Sequence, residues 1–495
     1  MKRLGWLLSA ALVFSVPAAL QSQALAAPVP GAAPVATATS TVWRPNPGAL
    51  FNLPRSRDKQ WRLERQVVAA IDHAHRGSYI KFSIFSFDRK PVAQALLRAH
   101  HRGVTVRVLL NDHQFTGAQR MLRNALTANR THRSWSYMCT HGCRSHGDVL
   151  HSKFYLFSHT GGAHYVSMVG SDNMTGNAVH NQYNDLWTST PDKQTFGWFN
   201  DLFNQMAKDK PSGEQNPPHP PNENWDAAGK GNSQATIVPR LTTPLAAGGL
   251  LLQAIPWPSY SASNDPIIDI LDKVRCHYAT GTGNGRTTVR VDMHAWDTDR
   301  GAWLAKKFRS LYAQGCNVQL MYGFAGAKVR PVLGKRTARG YIPIRSNGYD
   351  TNGDGQIDLY SHQKELMISG HYGARKGYKL AITGSSNYDT YGLTGDEILF
   401  LIHRTPAYDA YVRNFKYVWR YRSHPARYIP HSTNMRMSTQ LAPDTLLAPD
   451  TQHDPGRLDQ GLLDPGQMDQ GQLPPGVQPR WLPQPRPAGP AWEGD

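Results

Sequence analysis

Leu150-His151-Ser152-Lys153-Phe154-Tyr155-Leu156 and, much later, His362-Gln363-Lys364 decide how this chain reads. Both sit in strand-like patterns, where residues two apart share a face, so His151 projects beside Lys153 and His362 beside Lys364. A Gly-Ser-x-Asn turn follows each. Gly170-Ser171-Asp172-Asn173 begins 19 residues after His151, and Gly384-Ser385-Ser386-Asn387 begins 22 after His362. A lone His-x-Lys is common on surface strands, and a lone Gly-Ser-x-Asn is an ordinary turn. The pair occurring twice at matched spacing is an internal repeat.

The elements around the motifs repeat too. The first block has a helix pattern (61–74), a strand (79–85), a second helix (91–101), Gly103 and a strand (104–110). The second has a helix (266–276), a strand (288–293), a helix (301–313), Gly315 and a strand (317–321). Each glycine is expected at a left-handed position that ends its helix. Gly103 to His151 is 48 residues and Gly315 to His362 is 47. Each block closes on an aromatic-bearing helix, 195–207 and 407–421. Strand–helix–strand order argues for parallel pairing and a layered α/β fold.

The polar residues supply a chemistry. Cleaving a phosphodiester needs a nucleophile, an acid for the departing oxygen, and cations for the non-bridging oxygens. His151, Lys153, Asn173, His362, Lys364 and Asn387 furnish these without a metal if the blocks bring them together. Ser171 and Ser385 are candidate supports for the phosphate.

This constellation resembles the phospholipase D superfamily, with its His-x-Lys-x4-Asp and Gly-Ser-x-Asn signature. The resemblance implies two pseudo-symmetric α/β/α repeats packed around one shared active-site cleft. It implies that His151 attacks phosphorus to give a phosphohistidine and that His362 protonates the leaving group; since two adjacent cations repel and Lys153 and Lys364 add to this, the pair is expected to share about one proton. It also implies a carboxylate orienting each histidine, with Asp185 and Glu397 as candidates. The expected enzyme is a phosphodiesterase hydrolysing or transphosphatidylating phospholipids, needing no catalytic cofactor. The rivals are a nuclease of the same superfamily and a weakly active binding protein for anionic surfaces. The chain departs from the signature in both blocks, with Ser158 and Ser369 where the family has Asp.

Just before His362, Asp350-Thr-Asn352-Gly-Asp354-Gly-Gln356-Ile-Asp358 reads as the start of an EF-hand-type loop. Asp350, Asn352, Asp354, Gln356 and Asp358 are candidate ligands for a structural calcium, although Ser361 stands where such loops carry Glu. An acidic turn without an ion is the alternative. Lys328, Arg330, Lys335, Arg336, Arg339 and Arg345 form a basic stretch between the same two strands. It suits an anionic membrane surface or a nucleic-acid backbone, and equally a solvated loop.

The remaining features bound the domains. Residues 1–26 read as a signal peptide, with Lys2 and Arg3 before a short apolar run and Ala24-Leu25-Ala26 as cleavage site. No later segment is apolar for long enough to span a bilayer. The expected product is a secreted, extracellular monomer: flexible leader 27–45, repeat 46–207, linker 208–244, repeat 245–430 and a disordered Pro/Gly/Asp/Gln-rich tail 431–495. The net charge is +18, and the tail, with four Arg against eight Asp or Glu, leaves +22 on the body. Such a body favours phosphate-bearing partners. Four cysteines in a secreted chain suggest disulfides, most simply Cys139–Cys143 and Cys276–Cys316, with two other pairings open. Cys139, His141, Cys143 and His146 could instead hold zinc.

Overall fold

The structure is a computed structural model that describes residues 42–140, 142–144, 149–210, 235–240, 261–354, 356–403 and 405–426, the segment 235–240 as backbone. The signal peptide 1–26, leader residues 27–41, most of the 208–244 linker, the tail 431–495, His141 and His146 lie outside them.

The fold is mixed α/β. In the first block the strands are β1 (Gly48–Phe51), β2 (Tyr79–Ile84), β3 (Thr105–Asn111), β4 (Trp135–Cys139), β5 (Phe154–Thr160), β6 (Ala163–Gly170), β7 (Gln182–Tyr183) and β8 (Asp185–Ser189). In the second they are β9 (Ala235–Arg240), β10 (Val274–Arg275), β11 (Thr288–Trp296), β12 (Asn317–Ala325), β13 (Ile344–Ser346), β14 (Tyr360–Ser361), β15 (Lys364–Tyr372), β16 (Arg375–Gly384), β17 (Glu397–Ile402) and β18 (His424–Pro425). One sheet has the order β1-β8-β6-β5-β2-β3-β4, the other β9-β17-β16-β15-β11-β12-β13-β18, with β10 beside β15. Seven consecutive positions therefore match in chain order and in direction. The β2–β3 and β11–β12 pairs are parallel, and β5 and β15 run antiparallel to β2 and β11.

The helices that make the parallel crossovers are Lys90–His101 and Thr298–Ala313. Gly103 and Gly315 follow them at φ 89° and 107°, the left-handed region expected for both. Several elements differ from the sequence reading, among them β11, which runs on to Trp296, and the helix after it, which begins at Thr298. The helix beginning at Pro266 stops at Asp272, because Val274 and Arg275 pair antiparallel with Tyr372 and His371. β12 runs on to Ala325 rather than Met321. Residues 235–240, read as linker, lie along β17 as β1 lies along β8.

Each block has an apolar core, around Val67, Phe82 and Leu96 in the first and Leu304, Phe308 and Leu320 in the second. A third cluster joins the blocks. Trp187, Phe199 and Phe154 of the first pack with Ile398, Phe400 and Tyr411 of the second. Burying one such large side chain stabilises by about 1.5–3 kcal/mol, so this seam holds the blocks in a fixed relation. The cysteines form Cys139–Cys143 and Cys276–Cys316, joining the two cysteines of the zinc alternative to each other.

Beside the seam lies a group of buried acids. Asp292 and Glu365 are directly opposed on β11 and β15, both with no exposed surface. Among the described residues neither oxygen of Glu365 has a hydrogen-bond partner, nor does Asp292 Oδ2. Burial raises Glu365 well above the carboxylate range, with Asp185 and Asp292 adding to it, and burial raises Asp292 to about 7 against the hydrogen bonds of Asn347 and Ser361, with Asp185 adding to it. A carboxyl whose pKa is raised on folding contributes most below its unfolded pKa and loses that contribution as pH rises through its folded value. Glu365→Gln is therefore expected to raise the melting temperature, by an amount that grows between about pH 4 and pH 7. Thermal unfolding of both proteins across that range checks this, and a pH-independent difference contradicts it.

Candidate active site

Backbone hydrogen bonds between blocks assemble the site. His151 N donates to Asp396 O at 3.1 Å and His362 N to Tyr183 O at 2.9 Å. Thus each histidine enters its strand while paired with the other block, and β14, just before His362, runs parallel to β7. The lysines fold back in the same way in both blocks. Lys153 Nζ donates to His151 O at 2.5 Å and Lys364 Nζ to His362 O at 2.7 Å. His151, Lys153, His362 and Lys364 are close enough to perturb one another's charge.

The Gly-Ser-x-Asn turns have a common steric cause. A Cβ on Gly170 would lie 2.1 Å from Asp185 O, and one on Gly384 would lie 2.1 Å from Ile398 O. Only glycine lets these turns close on the next strand. The serine behind each glycine is then fixed: Ser171 Oγ accepts from Asp185 N at 3.1 Å, and Ser385 Oγ from Ile398 N at 2.9 Å. Asp185 is therefore the counterpart of Ile398, and the counterpart of Glu397 is Asn184.

This corrects the expected pairing. Glu397 Oε1 holds His151 Nδ1 at 2.7 Å, whereas His362 Nδ1 is held by Asn184 Oδ1 at 3.0 Å. Asp185 faces away, its Oδ2 accepting from Thr383 Oγ1 and from Tyr411 OH at 2.9 Å. One residue along a strand reverses the side chain, so Asn184 rather than Asp185 reaches the site. Ser171 and Ser385, read as phosphate supports, are positioning residues in this arrangement. Ser171 Oγ donates to Asn184 Oδ1 at 3.0 Å, and Ser385 Oγ donates to Glu397 Oε2. Two circuits thus cross between the blocks, Ser385–Glu397–His151 and Ser171–Asn184–His362.

The circuits set tautomers and charge. Both Nδ1 atoms donate, which leaves each Nε2 lone pair available. Burial lowers His151 to about 4; Glu397 opposes this, and Lys153 and Lys364 add to it. Burial raises Glu397, but His151 and Lys153 outweigh that and hold it below its usual value, so it is ionised. Burial, then Lys364 and His294, push His362 well below 6.5. Burial thus favours the neutral form of both rings, and the Glu397 carboxylate works against it at His151 alone. Burial and Lys153 likewise hold Lys364 well below 10.5.

Asn173 Oδ1 accepts from Ser86 N at 3.3 Å, and Asn387 Oδ1 is buried without a hydrogen-bond partner among the described residues. Four further side chains flank the histidines. Phe85 meets His151 edge-on at 4.8 Å and carries His113 stacked behind it at 4.1 Å. His294 lies 4.6 Å from His362 and stacks on Tyr360 at 5.1 Å. Sequence reading missed Asn184, Phe85 and His294, although all three stand within two residues of elements it had identified.

The serines at the family's Asp positions lie away from this cluster. Ser158 Oγ accepts from Tyr79 N at 2.9 Å, and Ser369 pairs with Thr288. Seven residues of extended strand put each about 23 Å from its histidine. In the Asp350–Asp358 loop the acids are engaged locally. Asp350 Oδ1 accepts from Gly353 N at 2.7 Å, Asp354 Oδ1 from Gln356 N at 2.8 Å, and both Asp358 oxygens from Thr351. The donor types suit calcium, but Asp358 is turned towards Thr351 and Arg55. Among the described residues no group of three His, Cys, Asp or Glu is arranged to hold a metal.

No curated protein matches the sequence. Residues 67–207 match the family described as cardiolipin synthase, PLD-like domain. Among solved structures, the polyphosphate kinase of Porphyromonas gingivalis is 10% identical with a TM-score of 0.47, over 75% of this chain and 50% of that one. The chain thus spans about half the length of that kinase. The phosphatidylserine synthase of Haemophilus influenzae Rd KW20 is 13% identical with a TM-score of 0.47, over 77% of this chain and 88% of that one. The phospholipase D family member Nuc of Salmonella typhimurium is 17% identical with a TM-score of 0.25, over 34% of this chain and all of that one. The match over 67–207 identifies a PLD-like domain in the first block, and the paired His-x-Lys and Gly-Ser-x-Asn motifs support membership of the phospholipase D superfamily.

Proposed function

We propose that this chain is a secreted, monomeric phosphodiesterase of phospholipase D type that hydrolyses or transphosphatidylates phospholipid headgroup phosphodiesters. The observation that carries the reading is the unlike pair of crossed circuits. Glu397 is ionised and accepts the Nδ1 proton of His151, which makes the opposite nitrogen, Nε2, the more basic and nucleophilic one. Asn184 orients His362 equally well but adds no negative charge, so a proton on its Nε2 is given up readily. His151 is assigned as nucleophile and His362 as acid.

The bound phosphate supplies the missing condition. Its negative charge between Lys153 and Lys364 offsets the cations that keep His362 neutral, and the ring then takes a proton. His151 Nε2 forms the bond to phosphorus, the phosphorus–oxygen bond to the headgroup breaks, and the departing oxygen receives the His362 proton. Water or an alcohol next gives a proton to His362 and attacks phosphorus. The phosphorus–nitrogen bond breaks, and both imidazoles are restored. Lys153, Lys364, Asn173 and Asn387 are assigned to the non-bridging oxygens.

Secretion is supported by the two disulfides and the apolar leader; no helix among the described residues is long and apolar enough to cross a membrane. The distance of Ser158 and Ser369 from the histidines speaks for activity against the binding-protein rival. A nuclease has one observation in its favour. Phe115, 42% exposed, carries the guanidinium groups of Arg120 and Arg123 over its ring at 5.1 and 5.8 Å. Aromatics with arginines suit stacked bases as well as headgroups. Phosphatidylcholine vesicles and single- and double-stranded DNA, offered side by side without added metal, separate the readings. Turnover of DNA alone moves the assignment to nuclease.

The covalent step is tested with an activated aryl phosphodiester, whose leaving group departs unprotonated. His362→Asn is expected to trap phosphohistidine at position 151, seen by mass spectrometry after quenching, and His151→Asn to form none. The adduct on His362 alone reverses the roles. In the wild type, kcat/KM should hold from pH 7 down towards about 4, where His151 protonates, and loss centred at the ordinary histidine value near 6.5 contradicts the burial argument.

Calcium in the Asp350–Asp358 loop is a structural proposal, fixing the segment that delivers His362. About 5 mM calcium, above the range of weak extracellular loops, is expected to raise the melting temperature, and Asp354→Asn to remove that rise. An equal rise in both proteins, or none in either, contradicts it.

A further inference from the structure

The two sides of the cleft differ in one place where the strand register makes them equivalent. Ser83 opposes Phe154 three residues after His151, and Asp292 opposes Glu365 three residues after His362. Two residues beyond Ser83 is Phe85, and two beyond Asp292 is His294. An apolar ring therefore flanks His151, whereas an imidazole flanks His362.

His294 is held in one tautomer. Its Nδ1 lies 3.2 Å from Ser361 O, and a carbonyl only accepts, so Nδ1 carries the proton. Nε2 is left as an acceptor and has no hydrogen-bond partner among the described residues. The residue is 6% exposed, and Tyr360 stacks on its ring. Gly323 permits the lock, since a Cβ there would meet Ser361 O at 2.8 Å and His294 Nδ1 at 3.6 Å. Burial and Lys364 keep the ring uncharged, so the lone pair is present at neutral pH.

If His362 protonates the departing oxygen, the departing alcohol sits on the His362 side, and an incoming alcohol enters by the same side. We propose that His294 selects that alcohol: its Nε2 accepts a hydrogen bond from a second hydroxyl, on the carbon next to the reacting oxygen, so the site favours polyols over simple alkanols. Phe85 offers no such acceptor on the opposite side. This rests on the phosphohistidine reading above and deepens it to a substrate class, a diester whose alcohol half carries a neighbouring hydroxyl.

Partitioning of the intermediate reads the preference directly. The full chain is loaded with bis(p-nitrophenyl) phosphate, and glycerol and 1-propanol compete at equal concentration. The two transfer products are then quantified. Their ratio is independent of the absolute rate, so a variant that is merely slower remains informative. Wild type is expected to favour glycerol by about tenfold, the scale of one hydrogen bond to a buried acceptor. His294→Phe should bring the ratio within about twofold of parity, and His294→Gln, whose amide oxygen can accept, should restore part of it. An unchanged ratio in His294→Phe, or a wild type without preference, overturns the proposal. Both transfers falling together in His294→Phe and His294→Gln, at a constant ratio, shows that His294 only positions His362 through Ser361 and overturns it equally. Failure of the wild type to release p-nitrophenolate instead overturns the phosphodiesterase reading beneath it.

Discussion

The hydrogen bond between His151 Nδ1 and Glu397 Oε1, 2.7 Å long and crossing from one block to the other, is the constraint around which the site is organised. It requires that the start of β5 meet the start of β17. The Leu150–Asp396 bridge and the His151–Asp396 backbone bond hold those ends together, and the Trp187–Phe400 seam fixes the sheets behind them. Neither block carries a complete circuit by itself. Each supplies a histidine and the partner for the other block's histidine. This gives a physical reason for the repeat to persist as one chain with a shared core: separating the blocks would take Glu397 from His151 and Asn184 from His362 and expose the apolar seam to water.

Much of this was legible in the residues. The alternation around His151 and His362, the glycines closing the helices and the matched spacing specify two similar α/β blocks, and the observed strand order repeats over seven positions. What was not legible was register. From sequence, Asp185 in Tyr-Asn-Asp-Leu looks like the equal of Glu397 in Gly-Asp-Glu-Ile. Only the bonds from Ser171 and Ser385 to the following strand show that the comparison is off by one, which turns Asp185 into the seam and Asn184 into the site. The same limit hid His294 and Phe85. Their roles depend on where β11 and β2 end relative to the histidine strands, and periodicity of two names a face without naming a depth. The helix from Pro266 was overextended because the pairing of Val274 with Tyr372 is a contact between residues about a hundred apart, which local propensity cannot express.

The unlike partners also make sense of the charge. A site with two lysines and four buried imidazoles is strongly cationic if every group is protonated. Burial resolves this by discharging the rings: His113 is held at about 3, and His294 and His362 lie well below their usual value. Glu397 is the one carboxylate in the two circuits, and it holds His151, the ring assigned as nucleophile in the proposed function. On the proposed reading, an anion between Lys153 and Lys364 changes the protonation of His362, the ring assigned as acid. The asymmetry between blocks, Glu397 against Asn184 and Phe85 against His294, gives direction to a scaffold whose backbone is nearly the same on both sides.

The central claim is that both blocks present their histidines to a single anion. A crystal structure of the full chain with tungstate, a stable mimic of a phosphoryl group, tests it most directly. The account predicts one tungstate with oxygens within about 3 Å of both His151 Nε2 and His362 Nε2, and with Lys153 and Lys364 on the remaining oxygens. Two tungstates in separate pockets, or one bound to a single block with the other histidine out of reach, would contradict it.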